Sequence, residues 1–482
     1  MIKVREFIVD LKEGFLSIFK GNSKEENLFS INGKVPLRKA IPFGIQHVLA
    51  MFVANVTPLL IVFGAIGINN TEIATQALQG SLLMAGLGTI IQLFFGARLP
   101  IVIGTSFTFV GVFITIGLSY GGGETGYYTI MGSILIGGLI AAFLSLFIKW
   151  RGKLLKQIVP CVVVFGIGLS LISSGATQFL GGNSVLTALA NGESTPAPYY
   201  FYIIVSIITL FSAILFQLLA KGIWKNLNII FAIIVGYLVS LCIPNMLNFS
   251  SLAIKGVEDI ITYPHLIDFS KLKFDLVPIL LTTLCFLMAV VEGIGDTNAL
   301  CTSGLERKPT NREITGVLFV DGFNSAICAM FGTMPLTTFS QNVGIVSQTK
   351  IVNRFTIFCG SLLLIFASFF PILANFLFTI PESVLGGTMV ILFGSIAVVG
   401  IQMCSEAGFS QKNVLILSLS LCLGFGLTLV SSFFKFLELS QLNYLKDILS
   451  NNVLNMFIIA FILSWILPDN MDISFQKNIK ND

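Results

Sequence analysis

Leu336-Thr337-Thr338-Phe339-Ser340-Gln341-Asn342-Val343-Gly344-Ile345-Val346-Ser347-Gln348-Thr349-Lys350 runs consecutive hydroxyls and amides into Gly344 and then a short apolar helix pattern. This order predicts an extended backbone that turns into a helix at membrane depth. Such backbone is tolerated only where protein buries it or where it lines a cavity. The N-terminus of the half-helix would then aim N–H groups and its positive dipole end at a ligand.

A second stretch has the same shape. Phe95-Gly96-Ala97-Arg98-Leu99-Pro100 precedes Gly104-Thr105-Ser106-Phe107, as Phe331-Gly332-Thr333-Met334-Pro335 precedes Phe339-Ser340-Gln341-Asn342. Pro100 to Pro335 spans 335 − 100 = 235 positions, and Ser106 to Gln341 spans 341 − 106 = 235. Paired interrupted spans at matching positions of two halves point to a transporter's binding site.

The surrounding chain is built for lipid. Of its 482 residues 55% are hydrophobic and 11% charged, against roughly 25% charged in soluble domains. That charge content cannot cover a globular surface of this size. Runs long enough to span, at about 20 apolar residues each, lie near 41–66, 76–97, 128–148, 158–175, 200–220, 227–244, 276–300, 352–378, 383–403, 412–433 and 451–467. The segments 100–118, 313–333 and 336–349 are shorter or broken, and counting them gives about fourteen membrane-embedded elements.

Loop charge supports that count. One set of connections carries Arg98, Lys149, Arg151, Lys153, Lys156, Lys221, Lys225, Arg307, Lys308, Arg312, Lys350, Arg354 and Lys412, while the alternate connections 119–127, 176–198 and 376–382 have no Lys or Arg. The exceptions are 245–275, with Lys255, Lys271 and Lys273, and 434–450, with Lys435 and Lys446. The positive-inside rule then places both termini in the cytoplasm. The expected organisation is a cytoplasmic segment 1–40, a first seven-segment repeat 41–244, an extracellular loop 245–275, an inverted second repeat 276–467 and a cytoplasmic tail 468–482.

Other classes fit poorly. A net charge of +4 gives no basic stripe for nucleic acid. The eight cysteines form no CxxC pair and no Cys/His cluster, so no metal or cofactor is expected. The polar N-terminus reads as no signal peptide. A membrane enzyme would need a nucleophile with a base or a metal cluster, and scattered cysteines with one intramembrane histidine supply neither.

Ionisable groups within spans cost around 2.5–3.5 kcal/mol each and are functional candidates by default. Glu292 and Asp296 stand four residues apart, on one helix face, beside Gly293 and Gly295. His47 follows Gln46 in the first span and is either a substrate contact or a structural hydrogen-bonding group. Asp321 lies in a polar island with Asn324 and Ser325, as a proton-linked group or an anchor for the adjacent broken segment. Glu292 and Gln341 together match a flat ring bearing adjacent N–H and C=O groups. Phe107, Phe109 or Phe339 could pack on its faces.

At these residues the sequence resembles the nucleobase–ascorbate transporter family, the second family of nucleobase:cation symporters, in its bacterial xanthine/uric acid permease type. Gln341-Asn342-x-Gly344-x-x-x-x-Thr349-Lys350 matches the family signature, and Gln46-His47 the first-span motif. Glu292 with Asp296, and Asp321-Gly322 with Asn324-Ser325, match polar positions of the eighth and ninth spans.

The resemblance implies an all-α polytopic membrane protein with fourteen segments in a seven-plus-seven inverted repeat, segments 3 and 10 carrying short β-strands. It implies a core domain that holds substrate, a gate domain of spans 5–7 and 12–14, a homodimer, and elevator motion of core against gate. It assigns substrate binding to Glu292, Gln341, Phe107, Thr108 and Phe339, with site support and coupling from His47, Gln46, Asp296, Asp321, Asn342 and Gly344.

Gln at 341, where uracil-type members carry Glu, implies an oxidised purine. Thr108, where xanthine-type members often carry Asn, leaves uric acid open. The expectation is proton-coupled import across a bacterial plasma membrane. A uracil symporter of this family and a sulfate-type anion carrier of the same architecture are the alternatives.

Overall fold

The computed structural model describes residues 28–468, except 69–70, 148–155, 157, 221–227, 248, 250–259, 440–445, 447–448 and 451. The loop cations Lys149, Arg151, Lys153, Lys221, Lys225 and Lys255, and most of both termini, lie outside the described residues.

Nine helices among the described residues are long and apolar enough to cross a membrane. The first group of elements is α1 (Leu37–Ile66), α2 (Thr71–Phe94), β1 (Ile103–Thr105), α3 (Val110–Ser119) and α4 (Gly123–Ser145). A second group follows: α5 (Ile158–Phe179), α6 (Asn183–Ala190), α7 (Tyr199–Leu219) and α8 (Asn228–Leu241). The third is α9 (Leu276–Leu305), α10 (Asn311–Met330), β2 (Leu336–Thr338), α11 (Ser340–Thr349) and α12 (Arg354–Ser368). Last come α13 (Pro371–Phe378), α14 (Glu382–Ala407), α15 (Gln411–Leu419), α16 (Ser431–Leu439) and α17 (Asn452–Ile466).

Packing sorts these into two bodies. In one, α10 lies on α4, α12 lies on α1 and α2, and both strands sit between them. In the other, α14 packs along α5 and α7, α7 on α8, and α17 on α5. Close approach needs small residues: a Cβ at Gly138 would meet the Ala326 nitrogen at 2.8 Å, and one at Gly44 the Gly360 nitrogen at 2.7 Å. Residues 262–267 strap the first body, since Gln79 donates to the carbonyls of Thr262 and Ser368 and the Ile267 amide to Met330.

Two apolar runs and one connection differ from their sequence reading. The run 352–378 is two helices, because Pro371 has no N–H to continue α12 and instead starts α13. The run 412–433 leaves α geometry after Leu419, passing through a π turn at Ser420–Phe425 and a 3₁₀ turn at Gly426–Leu429. There a Cβ at Gly424 would lie 2.7 Å from the backbone of Met456 on α17. The connection 176–198 contains the short helix α6.

Candidate substrate site

The site begins with a two-stranded antiparallel sheet in which Ile103 pairs with Thr338, Gly104 with Thr337 and Thr105 with Leu336. All six residues are buried. The ladder is extended by Phe339 N donating to Val102 O and Ser106 N to Pro335 O, both at 3.0 Å. Such a short sheet leaves edge amides that cannot reach water, and polar side chains from the neighbouring helices take them.

The Ile103 amide donates to Thr89 Oγ1 on α2 at 3.1 Å, and the Leu336 amide to Ser325 Oγ on α10 at 3.0 Å. The Thr105 amide donates to Asn55 Oδ1 on α1 at 2.9 Å, and the Thr105 hydroxyl donates to the Asn55 carbonyl. Asn55 is held in turn by donating to Ser81 Oγ at 2.9 Å. Gly104 leaves room for the Phe339 ring, whose Cε2 would lie 2.8 Å from an added Cβ.

Asp296 fixes the start of α11. It accepts from Thr338 Oγ1 on one oxygen at 2.6 Å and from Ser340 Oγ on the other at 2.8 Å. Both hydroxyls belong to the β2–α11 junction, so Asp296 sets where the half-helix starts and how Gln341, on its first turn, is presented.

One turn earlier on α9, Glu292 accepts from Thr108 Oγ1 at 3.0 Å. Thr108 lies in a 3₁₀ turn, Phe107–Phe109, capped by Ser106 Oγ accepting its amide. Glu292 and Gln341 are both half-buried. A Cβ at Gly295 or at Gly344 would meet nothing within 4 Å. Each glycine follows its polar partner by three residues and shares its helix face. Open space therefore lies along the helix faces that carry Glu292 and Gln341.

The remaining candidates surround this pair. Asn342 Nδ2 lies 3.1 Å from both the carbonyl oxygen and Nδ1 of His47, so the buried histidine accepts at Nδ1 and carries its proton on Nε2. His47 thus ties α1 to α11, with Gln46 buried beside it. Asp321 accepts from Gln92 Nε2 at 3.4 Å, while Gln92 also accepts the Ala97 amide. Its other oxygen would lie 3.5 Å from a Cβ at Gly293, which puts Asp321 against α9 one residue from Glu292.

The aromatic candidates separate. Phe109 is fully buried between Phe113 and Phe286, with centroid distances of 5.5 and 4.8 Å, and belongs to the core. Phe339 is buried against Gly104. Phe107 is half-buried and meets Phe393 of α14 edge-to-face at 5.6 Å, so its ring spans the two bodies. Asn55, Thr89, Gln92 and Phe393 were not singled out from the sequence.

A family model, Xan_ur_permease, described as a permease family, matches residues 38–433. The chain belongs to the nucleobase–ascorbate transporter family. Xanthine permease XanQ of Escherichia coli (strain K12) is 30% identical over 454 residues, covering 92% of this chain and 94% of the relative. A xanthine permease of Bacillus subtilis (strain 168) is 31% identical over 410 residues, covering 82% and 87%.

Two solved structures share the fold. The transmembrane domain of the cyanobacterial bicarbonate transporter BicA aligns with TM-score 0.56 at 16% identity, covering 89% of this chain and 98% of that one. The murine anion transporter Slc26a9 in its inward-facing state aligns with TM-score 0.63 at 11% identity, covering 96% and 71%. As a member of the nucleobase–ascorbate transporter family, the chain is a multi-pass membrane permease for nucleobases and not an enzyme.

Proposed function

We propose that this permease imports an oxidised purine, xanthine or uric acid, together with a proton. The observation that supports this most is that Glu292, oriented by Thr108, and Gln341, at the N-terminus of α11, each share a helix face with a glycine, Gly295 or Gly344, that has open space where a side chain would stand. A 2,6-dioxopurine would give an N–H to the Glu292 carboxylate and pair further N–H and C=O groups with the Gln341 amide. Phe107 would lie against a ring face.

In this reading Glu292, Asp296 and Asp321 supply the protonatable groups, and the body holding the strands moves as an elevator against the body of α5, α7, α8, α14 and α17. The strands would mark the crossing point of two inverted seven-segment repeats, 41–244 and 276–467, in a homodimer of a bacterial plasma membrane with cytoplasmic termini. The anion carriers that share the fold favour a second reading, which Glu292 opposes, because a carboxylate accepts a purine N–H but finds no donor on sulfate.

Uptake of labelled xanthine, urate, uracil and sulfate, with and without a protonophore, tests both readings. Accumulation of xanthine or urate that the protonophore collapses is expected. Protonophore-insensitive accumulation would remove proton coupling, and sulfate uptake would favour the anion carrier. Glu292→Gln is expected to abolish accumulation.

A further inference from the structure

Helices α5 and α14 pack antiparallel in one register, with their backbones in contact. A Cβ at Gly168 would lie 2.3 Å from the Ala397 nitrogen, one at Gly400 2.4 Å from Phe165 Cα, and one at Gly386 2.3 Å from the Phe179 nitrogen. Position 168 thus faces 397, 165 faces 400 and 386 faces the Gln178–Phe179 peptide, so the numbers of facing positions total 565 or one less. On that register Cys161 faces Cys404, since 161 and 404 also total 565.

The two thiols lie within interaction range of each other, as that register requires. Both cysteines are buried, and neither is in a disulfide. The pair is also close to water: Cys161 is the fourth residue of α5, Cys404 the fourth from the end of α14, and Glu406 just beyond is exposed. A disulfide needs Cα atoms about 4.4–6.8 Å apart with Cβ atoms directed at each other. The contacts at Gly168 and Gly400 bring the two backbones together along the seam on which these cysteines face each other.

We propose that Cys161 and Cys404 form a reversible disulfide, a modification site through which a thiol oxidant staples the end of the α5–α14 seam. With a diazene dicarboxamide such as diamide as oxidant, both S–H bonds break and one S–S bond forms. The two electrons and two protons pass to the N=N bond, which becomes a hydrazine. A dithiol reverses the step. Because α5 and α14 lie in the same body, the staple joins groups already in contact.

The test uses the full chain, purified in detergent, treated with diamide, denatured and labelled with a maleimide. The expected product is two hydrogens lighter, takes up two fewer maleimides, yields a cross-linked peptide pair containing Cys161 and Cys404, and reverts with dithiothreitol. Cys161→Ser and Cys404→Ser should each lose the cross-link, while Cys285→Ser and Cys301→Ser retain it. Diamide-treated wild-type protein that labels at all eight cysteines, or a cross-link mapping to another pair, would overturn the proposal. The wild-type arm stands whether or not the variants fold.

Discussion

Thr108 donates its hydroxyl hydrogen to Glu292 at 3.0 Å, joining the turn after β1 to the middle of α9. A carboxylate with one oxygen held this way has a fixed orientation before any ligand arrives. A hydrogen bond to a charged group contributes about 1.5–3 kcal/mol. Thr108→Val keeps the shape and removes the donor. Its competition constant for xanthine is expected to rise by roughly tenfold, with Thr108→Ser close to wild type. Equal constants for Val and Thr at this position would detach Thr108 from the site.

Asp296 has a different task from Glu292, although the two share one helix face. Both of its oxygens are engaged by hydroxyls of the β2–α11 junction, so its expected role is to place the half-helix. Asp296→Ala leaves Thr338 and Ser340 without their acceptor and should cost about 3 kcal/mol, from two bonds of about 1.5 kcal/mol each. Asp296→Asn retains an acceptor and presents an amide to which a hydroxyl can turn its lone pair. Melting of the detergent-purified variants checks the order, with Asn well above Ala. Protonophore-sensitive accumulation by Asp296→Asn would show that this carboxyl does not carry the coupled proton.

Two kinds of group were legible from sequence: the amides Gln341 and Asn342, which interrupt a span, and the charged groups, because a carboxylate or histidine in an apolar run is conspicuous by its cost. Glu292, Asp296, Asp321 and His47 stood out for that reason. Asn55 and Thr89 are neutral, and their importance comes from strand-edge amides that exist only once β1 and β2 pair, while that of Gln92 comes from Asp321 and the Ala97 amide it joins. Phe393 is one of 44 phenylalanines, and nothing local distinguishes a ring that meets Phe107 from one that faces lipid. The long helices were legible from hydropathy, while the π turn at Ser420 was hidden, since the composition stays apolar through it.

Asp268 directly follows the strap 262–267, between α8 and α9 and outside the spanning helices. It accepts from the Ser270 hydroxyl at 2.7 Å and the Ser270 amide at 3.0 Å. These bonds hold its carboxyl below the usual range. A depressed folded value means that this interaction contributes above the unfolded value of about 4 and is lost as pH falls through the folded one. Hydrogen exchange at Ser270, corrected for its intrinsic pH dependence, is expected to accelerate as pH drops below about 4. In Ser270→Ala, which loses the hydroxyl donor, the backbone at this position should lose protection at a higher pH. An unchanged profile would show that the bonds do not order this segment.

Phe107 and Phe393 join the two bodies, one ring belonging to the body that presents Glu292 and the other to α14. Their planes cross at 76° with centroids 5.6 Å apart. Phe393 is backed by α5, where a Cβ at Gly175 would lie 3.0 Å from its Cδ2, so the ring has little room to retreat. An edge-to-face pair contributes about 0.5–1.5 kcal/mol beyond its buried area, enough to shift the balance between closed and open arrangements about two- to tenfold. If these rings close one side of the purine space, Phe393→Ala should admit 8-methylxanthine more readily relative to xanthine. Phe393→Leu, bulky but without the aromatic edge, should fall between. The measurement is the ratio of the two uptake rates, and a ratio for Phe393→Ala equal to that of the wild type would rule the ring contact out as a limit on substrate size.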